Sequence, residues 1–130
     1  MSQIRTYRPM YKRHGQGRKY GNRKVQIDGY TFDSVKEGNR YIELKYLLAA
    51  GKIKNLEMQK PYELVPAFRN AKTGKMERPM YYRADFVYYD NERGETVIED
   101  VKSPATRKDK MYQAKRKLMA YKGLYIEEIE

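Results

Sequence analysis

The chain has 130 residues, a net charge of +11, one histidine (His14) and no cysteine. That length suits one domain with one modest core, and the composition excludes disulfide frameworks, thiolate zinc sites and histidine-based catalysis or metal binding. No apolar run reaches membrane-spanning length and no signal peptide is read at the N-terminus, so a cytoplasmic protein without a membrane partner is expected.

Residues 1–24 hold eight Lys or Arg and no acid, whereas residues 25–130 hold 20 bases against 17 acids. The first stretch mixes Gly, Arg, Lys and Tyr without a period. Residues 1–23 therefore read as a flexible basic arm and residues 24–130 as the folded domain. Such an arm suits a polyanion, most simply DNA, with Arg13, Arg18, Lys19 and Arg23 as candidate contacts. A purely electrostatic or solubilising arm is the plainer reading.

Residues 24–32 are strand-like, with a turn at Asp28-Gly29. Ser34 followed three residues later by Glu37 is a capping-box signature. Tyr41, Leu44, Leu47 and Leu48 continue at helical spacing, and Gly51 ends the helix. Glu37 has two readings. It can cap the helix by reaching back to the Ser34 backbone. It also shares the buried face with Tyr41 and Leu44, where a carboxylate is costly unless it meets a partner.

Residues 53–68 read as strand, Pro61, then strand, with Gln59 as a solvent-facing position and Pro61 as a break, bulge or edge. A polar loop follows over 70–79. The stretch 81–102, YYRADFVYYDNERGETVIEDVK, places strand formers on both sides of the turn cluster Asn91-Glu92-Arg93-Gly94 and predicts a hairpin. A four-residue loop pairs Asp90 with Glu95, and counting outward sets Asp85 opposite Asp100 and Arg83 opposite Lys102. Carboxylates held about 5 Å apart repel, and a bound cation turns that repulsion into a site. Lys102 falls on the same face as Asp100. Thr106 or Asp109 caps a second helix with Met111, Ala114, Leu118 and Tyr121 on its apolar side. Its cations Lys110, Lys115 and Lys117, with Arg116 and Lys122, form either a solvated or a phosphate-contacting face. Gly123 ends this helix, and residues 124–129 form a last strand.

The order is helix, three strands, helix, strand: an α/β fold with a mixed sheet flanked by helices. Ala84-Asp85 followed by Asp100-Val101-Lys102, in that order of elements, resembles the PD-(D/E)XK nuclease superfamily. The wider pattern FDSVKEGNRYIELKYL, KIKNLEMQKPYEL, ADF and EDVK resembles small phage-encoded proteins of that superfamily described as endonucleases or Holliday-junction resolvases. The resemblance implies a restriction-endonuclease-like αβββαβ core and a metal-dependent DNA endonuclease. Asp85, Asp100 and the helix acid Glu37 would hold Mg²⁺ or Mn²⁺, the Val101 carbonyl would complete the coordination, and Lys102 would serve the attacking water. Asp100 stands where Glu is commoner, and the adjacent Glu99 is the alternative ligand if a bulge presents it. Branched DNA is the substrate implied. A homodimer would supply the two sites that cutting paired strands requires, and a phage origin would place the protein in the host cytoplasm. The competing reading is a non-catalytic basic nucleic-acid-binding protein.

Overall fold

The computed structural model describes residues 4–6 and 23–130. Its centre is a five-stranded mixed sheet. The central strands are β4 (Ile53–Val65), β7 (Met80–Asp90) and β8 (Glu95–Val101), with β1 (Ile4–Thr6) and β9 (Ile126–Ile129) at the edges, in the order β1-β4-β7-β8-β9. The β4–β7 and β7–β8 pairs are antiparallel, whereas β1 and β9 run parallel to their neighbours. Helix α1 (Val35–Ala49) covers one face and α3 (Lys110–Tyr121) the other. A single turn of helix, α2 (Pro104–Arg107), precedes α3. The order α1, β4, β7, β8, α3, β9 is the expected αβββαβ succession.

Each helix seals its own core. Tyr41, Leu44 and Leu48 of α1 pack on Leu56, Met58, Phe86, Tyr88 and Val97. Tyr112 and Met119 of α3 pack on Leu64, Tyr82, Ala84, Val87 and Ile98. The buried side of α3 is rotated from the expected one: Met111 and Tyr121 are exposed, and Tyr112 and Met119 lie inside. Both sides read as apolar at helical spacing, and only the sheet selects between them. Arg116 and Lys122 are also engaged rather than free. Arg116 pairs with Glu128 at 2.8 Å, and Lys122 Nζ donates to the carbonyls of Glu63 and Leu64.

The lead-in is a hairpin of β2 (Val25–Ile27) and β3 (Tyr30–Phe32). Asp28 and Gly29 both have positive φ, 54° and 80°, as a two-residue turn matching strand twist requires. The hairpin lies against α1 at Gly38, where a Cβ would stand 2.7 Å from Val25 Cγ2 and 3.0 Å from Ile27 Cδ1. Ser34 caps α1, its Oγ accepting the Glu37 amide at 3.1 Å.

Three expectations change. Ile4–Thr6, expected in a structureless arm, pairs with Leu56–Met58, and Ile4 packs on the α1-side core. The two strands expected around Pro61 are one, β4, and of the alternatives break, bulge or edge Pro61 takes the edge, beyond the three residues that β1 covers, where no described strand takes the outer side. Within the 70–79 loop, Met76–Glu77 (β6) pairs with Phe68–Arg69 (β5) in a small separate ladder.

Candidate active site

The hairpin register is as counted from Asp90↔Glu95 to Phe86↔Glu99, and the β7–β8 ladder stops there. Asp85 is therefore not a ladder partner of Asp100, nor Arg83 of Lys102. Instead the Asp85 carboxylate takes the Val101 amide, Oδ2 accepting at 2.8 Å. The Lys102 amide continues the pairing on the other side, donating to the Ile129 carbonyl at 2.9 Å.

The ladder stops because β7 turns over. Phe86 and Tyr88 pack toward α1, whereas Tyr82 and Ala84 pack toward α3. Four even-numbered residues of a regular strand would share one face. The same reversal occurs in β4, where Leu56 and Met58 face α1 and Leu64 and Tyr62 face α3. Met58 pairs with Phe86 and Lys60 with Ala84, so the reversal in both strands falls at Gln59 and Asp85. Gln59 has φ 56°, a left-handed conformation uncommon outside Gly and Asn. It is half-buried, with Nε2 donating to the Thr31 carbonyl at 3.4 Å, not the solvent-facing strand residue expected. Sequence reasoning missed it because neither its side-chain type nor its neighbours signal a positive φ.

The reversal sets Asp85 between two other acids. Its pKa is raised well above the ordinary carboxylate value by burial first, then by the charges of Glu37 and Asp100. Glu37, buried on the first turn of α1, is pushed up to about 7 by burial and then by Asp33, with Asp100 adding to the rise and Arg83 opposing it. The two readings of Glu37 are partly reconciled. Its amide completes the Ser34 cap, but its carboxylate reaches the Asp33 amide at 3.3 Å, not Ser34. Arg83 pairs with Asp33 at 3.6 Å.

Asp100 is buried on the α3 side. Tyr82 donates its hydroxyl to Oδ2 at 2.6 Å, and the Tyr82 phenol is pushed up by burial and by the Asp100 charge. Asp100 Oδ1 finds no hydrogen-bond partner among the described residues, although Lys102 Nζ stands 3.3 Å away. The ammonium is near enough for an ion pair but is not aligned for a hydrogen bond. It lies 4.8 Å from the centre of the Tyr112 ring, which fixes Lys102 beside Asp100 on one face.

Glu99, the alternative ligand, points the other way. Arg40 grips it with two nitrogens, Nε at 2.8 Å and Nη2 at 2.6 Å, and the Tyr88 hydroxyl donates to it as well. A carboxylate so fully paired is structural. The neighbouring acids thus have opposite treatments: Glu99 is neutralised, whereas Glu37, Asp85 and Asp100 repel one another.

All the donors facing the cluster are carboxylate oxygens, which suit a hard divalent cation. Asp100 Oδ1, buried and ion-paired with Lys102 but without a hydrogen bond, is an acceptor of the kind such an ion takes. Among the described residues, no three His, Asp or Glu side chains stand arranged to hold a metal ion as they are.

Of the expected nucleic-acid contacts, Arg13, Arg18 and Lys19 lie outside the described residues, as does most of the expected arm; Arg23 is exposed. Lys110 and Lys117, seven apart, form an exposed stripe of α3, and Lys115 is half-buried. Among the described residues no helix is long and apolar enough to cross a membrane.

Comparison with curated proteins and with solved structures gave no match. A family model does match: the one described as protein of unknown function (DUF1064), over residues 17–129, which takes in every described element from β2 to β9, and the acid cluster with them, and leaves out β1. On that coverage the chain belongs to the DUF1064 family.

Proposed function

We propose that this protein is a metal-dependent DNA endonuclease, with Glu37, Asp85, Asp100 and Lys102 as its site. The observation that carries the reading is the placing of Asp85 against the charges of Glu37 and Asp100, with the Lys102 amine 3.3 Å from Asp100, in a chain that pairs the adjacent Glu99 fully with Arg40. Acids crowded together in this way are concentrated at functional sites. The resemblance of Asp85 and Asp100-Val101-Lys102 to the PD-(D/E)XK signature supports the same reading.

Asp85 and Asp100 would hold Mg²⁺ or Mn²⁺, joined by Glu37 and the Val101 carbonyl. When bound, such an ion polarises a phosphate and eases the deprotonation of water. The Val101 amide fixes the Asp85 carboxylate, and the Tyr82 hydroxyl fixes that of Asp100. Lys102 orients the attacking water and offsets charge building on the phosphate. The exposed cations of α3 and the basic N-terminal segment would hold the DNA backbone, with branched DNA the substrate to try first and a homodimer the assembly that would cut both strands.

The test is to replace Asp85 or Asp100 by Asn, or Lys102 by Ala. Each change should abolish Mg²⁺-dependent cleavage while leaving DNA binding in place. The competing reading, a non-catalytic nucleic-acid binder, draws on the same basic N-terminal segment and α3 cations, which serve binding without cleavage equally well. It predicts binding without cleavage by the parent protein.

A further inference from the structure

Between β4 and β7 the chain leaves the domain and returns. Every residue from 66 to 79 is exposed except Asn70, which is half-buried. The segment is nonetheless well ordered. Phe68 pairs with Glu77 and Arg69 with Met76. Asn70 accepts the Lys72 and Thr73 amides through Oδ1, the Gly74 amide donates to the Asn70 carbonyl at 2.7 Å, and Gly74 closes the turn at φ 73°. Such a hairpin contributes little to either core, yet it holds Phe68 at 49% exposure and Met76 at 57%. Directly paired residues share a face. Phe68 therefore stands on one side of the hairpin, and Met76 with Arg69 on the other.

The charge is one-sided. Residues 66–79 carry Arg69, Lys72, Lys75 and Arg78 against a single acid, Glu77. That acid is engaged by Asn70 Nδ2 at 3.2 Å. No acid among the described residues pairs with Lys72, Lys75 or Arg78 within salt-bridge distance. Exposed cations interleaved with an exposed aromatic, on a rigid support, match what single-stranded and distorted nucleic acids require: phosphate neutralisation plus a stacking platform for a base. The β4–β7 ladder runs on from Lys60↔Ala84 to Val65↔Met80 and leads straight into this hairpin. Its base lies about 17 Å along the strand from Asp85, at about 3.4 Å per residue, or roughly five nucleotide steps.

We infer that the 66–79 hairpin is a DNA-contacting arm, with Lys72, Lys75 and Arg78 on phosphates and the Phe68 ring on an unpaired base. The inference rests on the proposal that the protein acts on DNA, but not on cleavage. The experiment is titration of the full chain into labelled duplex, branched and single-stranded oligonucleotides at several salt concentrations. Changing Lys72, Lys75 and Arg78 together to Ala should lower the slope of log K against log salt by about 2–3 on duplex. Phe68→Ala should weaken single-strand and branch binding about five-fold or more with the slope unchanged, and Phe68→Tyr should restore it. The melting temperature and Mn²⁺ binding should be those of the parent. An unchanged affinity and slope in the triple variant would overturn the inference, whether or not the parent cuts DNA. A parent that binds through the hairpin yet cuts nothing would overturn the nuclease proposal alone.

Discussion

Replacing Glu37 by Gln separates the two roles this residue has in the structure. The carboxylate is moved from the ordinary 4.5 to about 7, mainly by burial and by Asp33. A folded-state pKa above the unfolded one means that the folded protein binds the extra proton between those values. The associated stability is full below about pH 4.5 and is lost as pH rises through about 7, amounting to about 3 kcal/mol. Gln is uncharged, and its carbonyl oxygen can still accept the Asp33 amide that Glu37 Oε2 accepts at 3.3 Å. The Ser34 cap uses the backbone amide of residue 37 and is untouched. Without metal, Glu37→Gln should therefore match the parent near pH 4 and exceed it by up to about 3 kcal/mol at pH 8. Urea unfolding across that pH range measures this directly. Ser34→Ala is the control, costing about 1 kcal/mol at every pH. Mn²⁺ at 100 times its Kd should close most of the gap between Glu37→Gln and the parent at pH 8, because it stabilises the parent by about 2.7 kcal/mol and the variant, one donor short, by less. A Gln variant less stable than the parent at pH 8, by as much as at pH 5, would refute the reasoning: the carboxylate would then be held by favourable partners, not strained by its neighbours.

Arg40→Ala strands Glu99 in the core without its cation and should cost about 3–5 kcal/mol in unfolding free energy. An effect under 1 kcal/mol would mean that Glu99 is not fixed as described. Gln59→Gly should preserve the reversal of β4 and β7, whereas Gln59→Val should cost about 1–3 kcal/mol and weaken Mn²⁺ binding measured by calorimetry; equal behaviour of the two variants would separate Gln59 from the placement of Asp85. Changing Arg13, Arg18, Lys19 and Arg23 to Ala should lower the salt slope of duplex binding by about 3–4 without lowering the melting temperature. Deleting residues 1–23 is the poorer experiment, since it also removes β1 and the packing of Ile4.

Much of this arrangement was legible in the residues. The αβββαβ order followed from period and punctuation, and the turn at Asn91-Glu92-Arg93-Gly94 fixed the register from Asp90↔Glu95 to Phe86↔Glu99. Counting by twos failed one residue later, at Asp85, where β7 turns over alongside the positive-φ Gln59 of β4 and the ladder with β8 ends. Asp100 was preferred to Glu99 for sharing a face with Lys102, and the two do stand together, but the pairing that holds Glu99 was hidden. It depends on Arg40, 59 positions away from Glu99 in the chain and in contact with it. The exposed side of α3 was misread because Met111 and Tyr121 are as apolar as Tyr112 and Met119. Glu37 was visible as both cap and buried acid, and the structure uses both.

On the proposed function, Glu37, Asp85 and Asp100 are gathered to hold an ion that serves DNA cleavage. The measurement that tests it most directly is incubation of the full chain with branched, duplex and single-stranded DNA, with Mg²⁺, with Mn²⁺ and with chelator, beside Asp85→Asn as the control. Cleavage of at least one of these forms by the parent with metal, none with chelator and none by the variant, is the predicted result. A parent protein that binds DNA but leaves every form intact under both metals would contradict the claim.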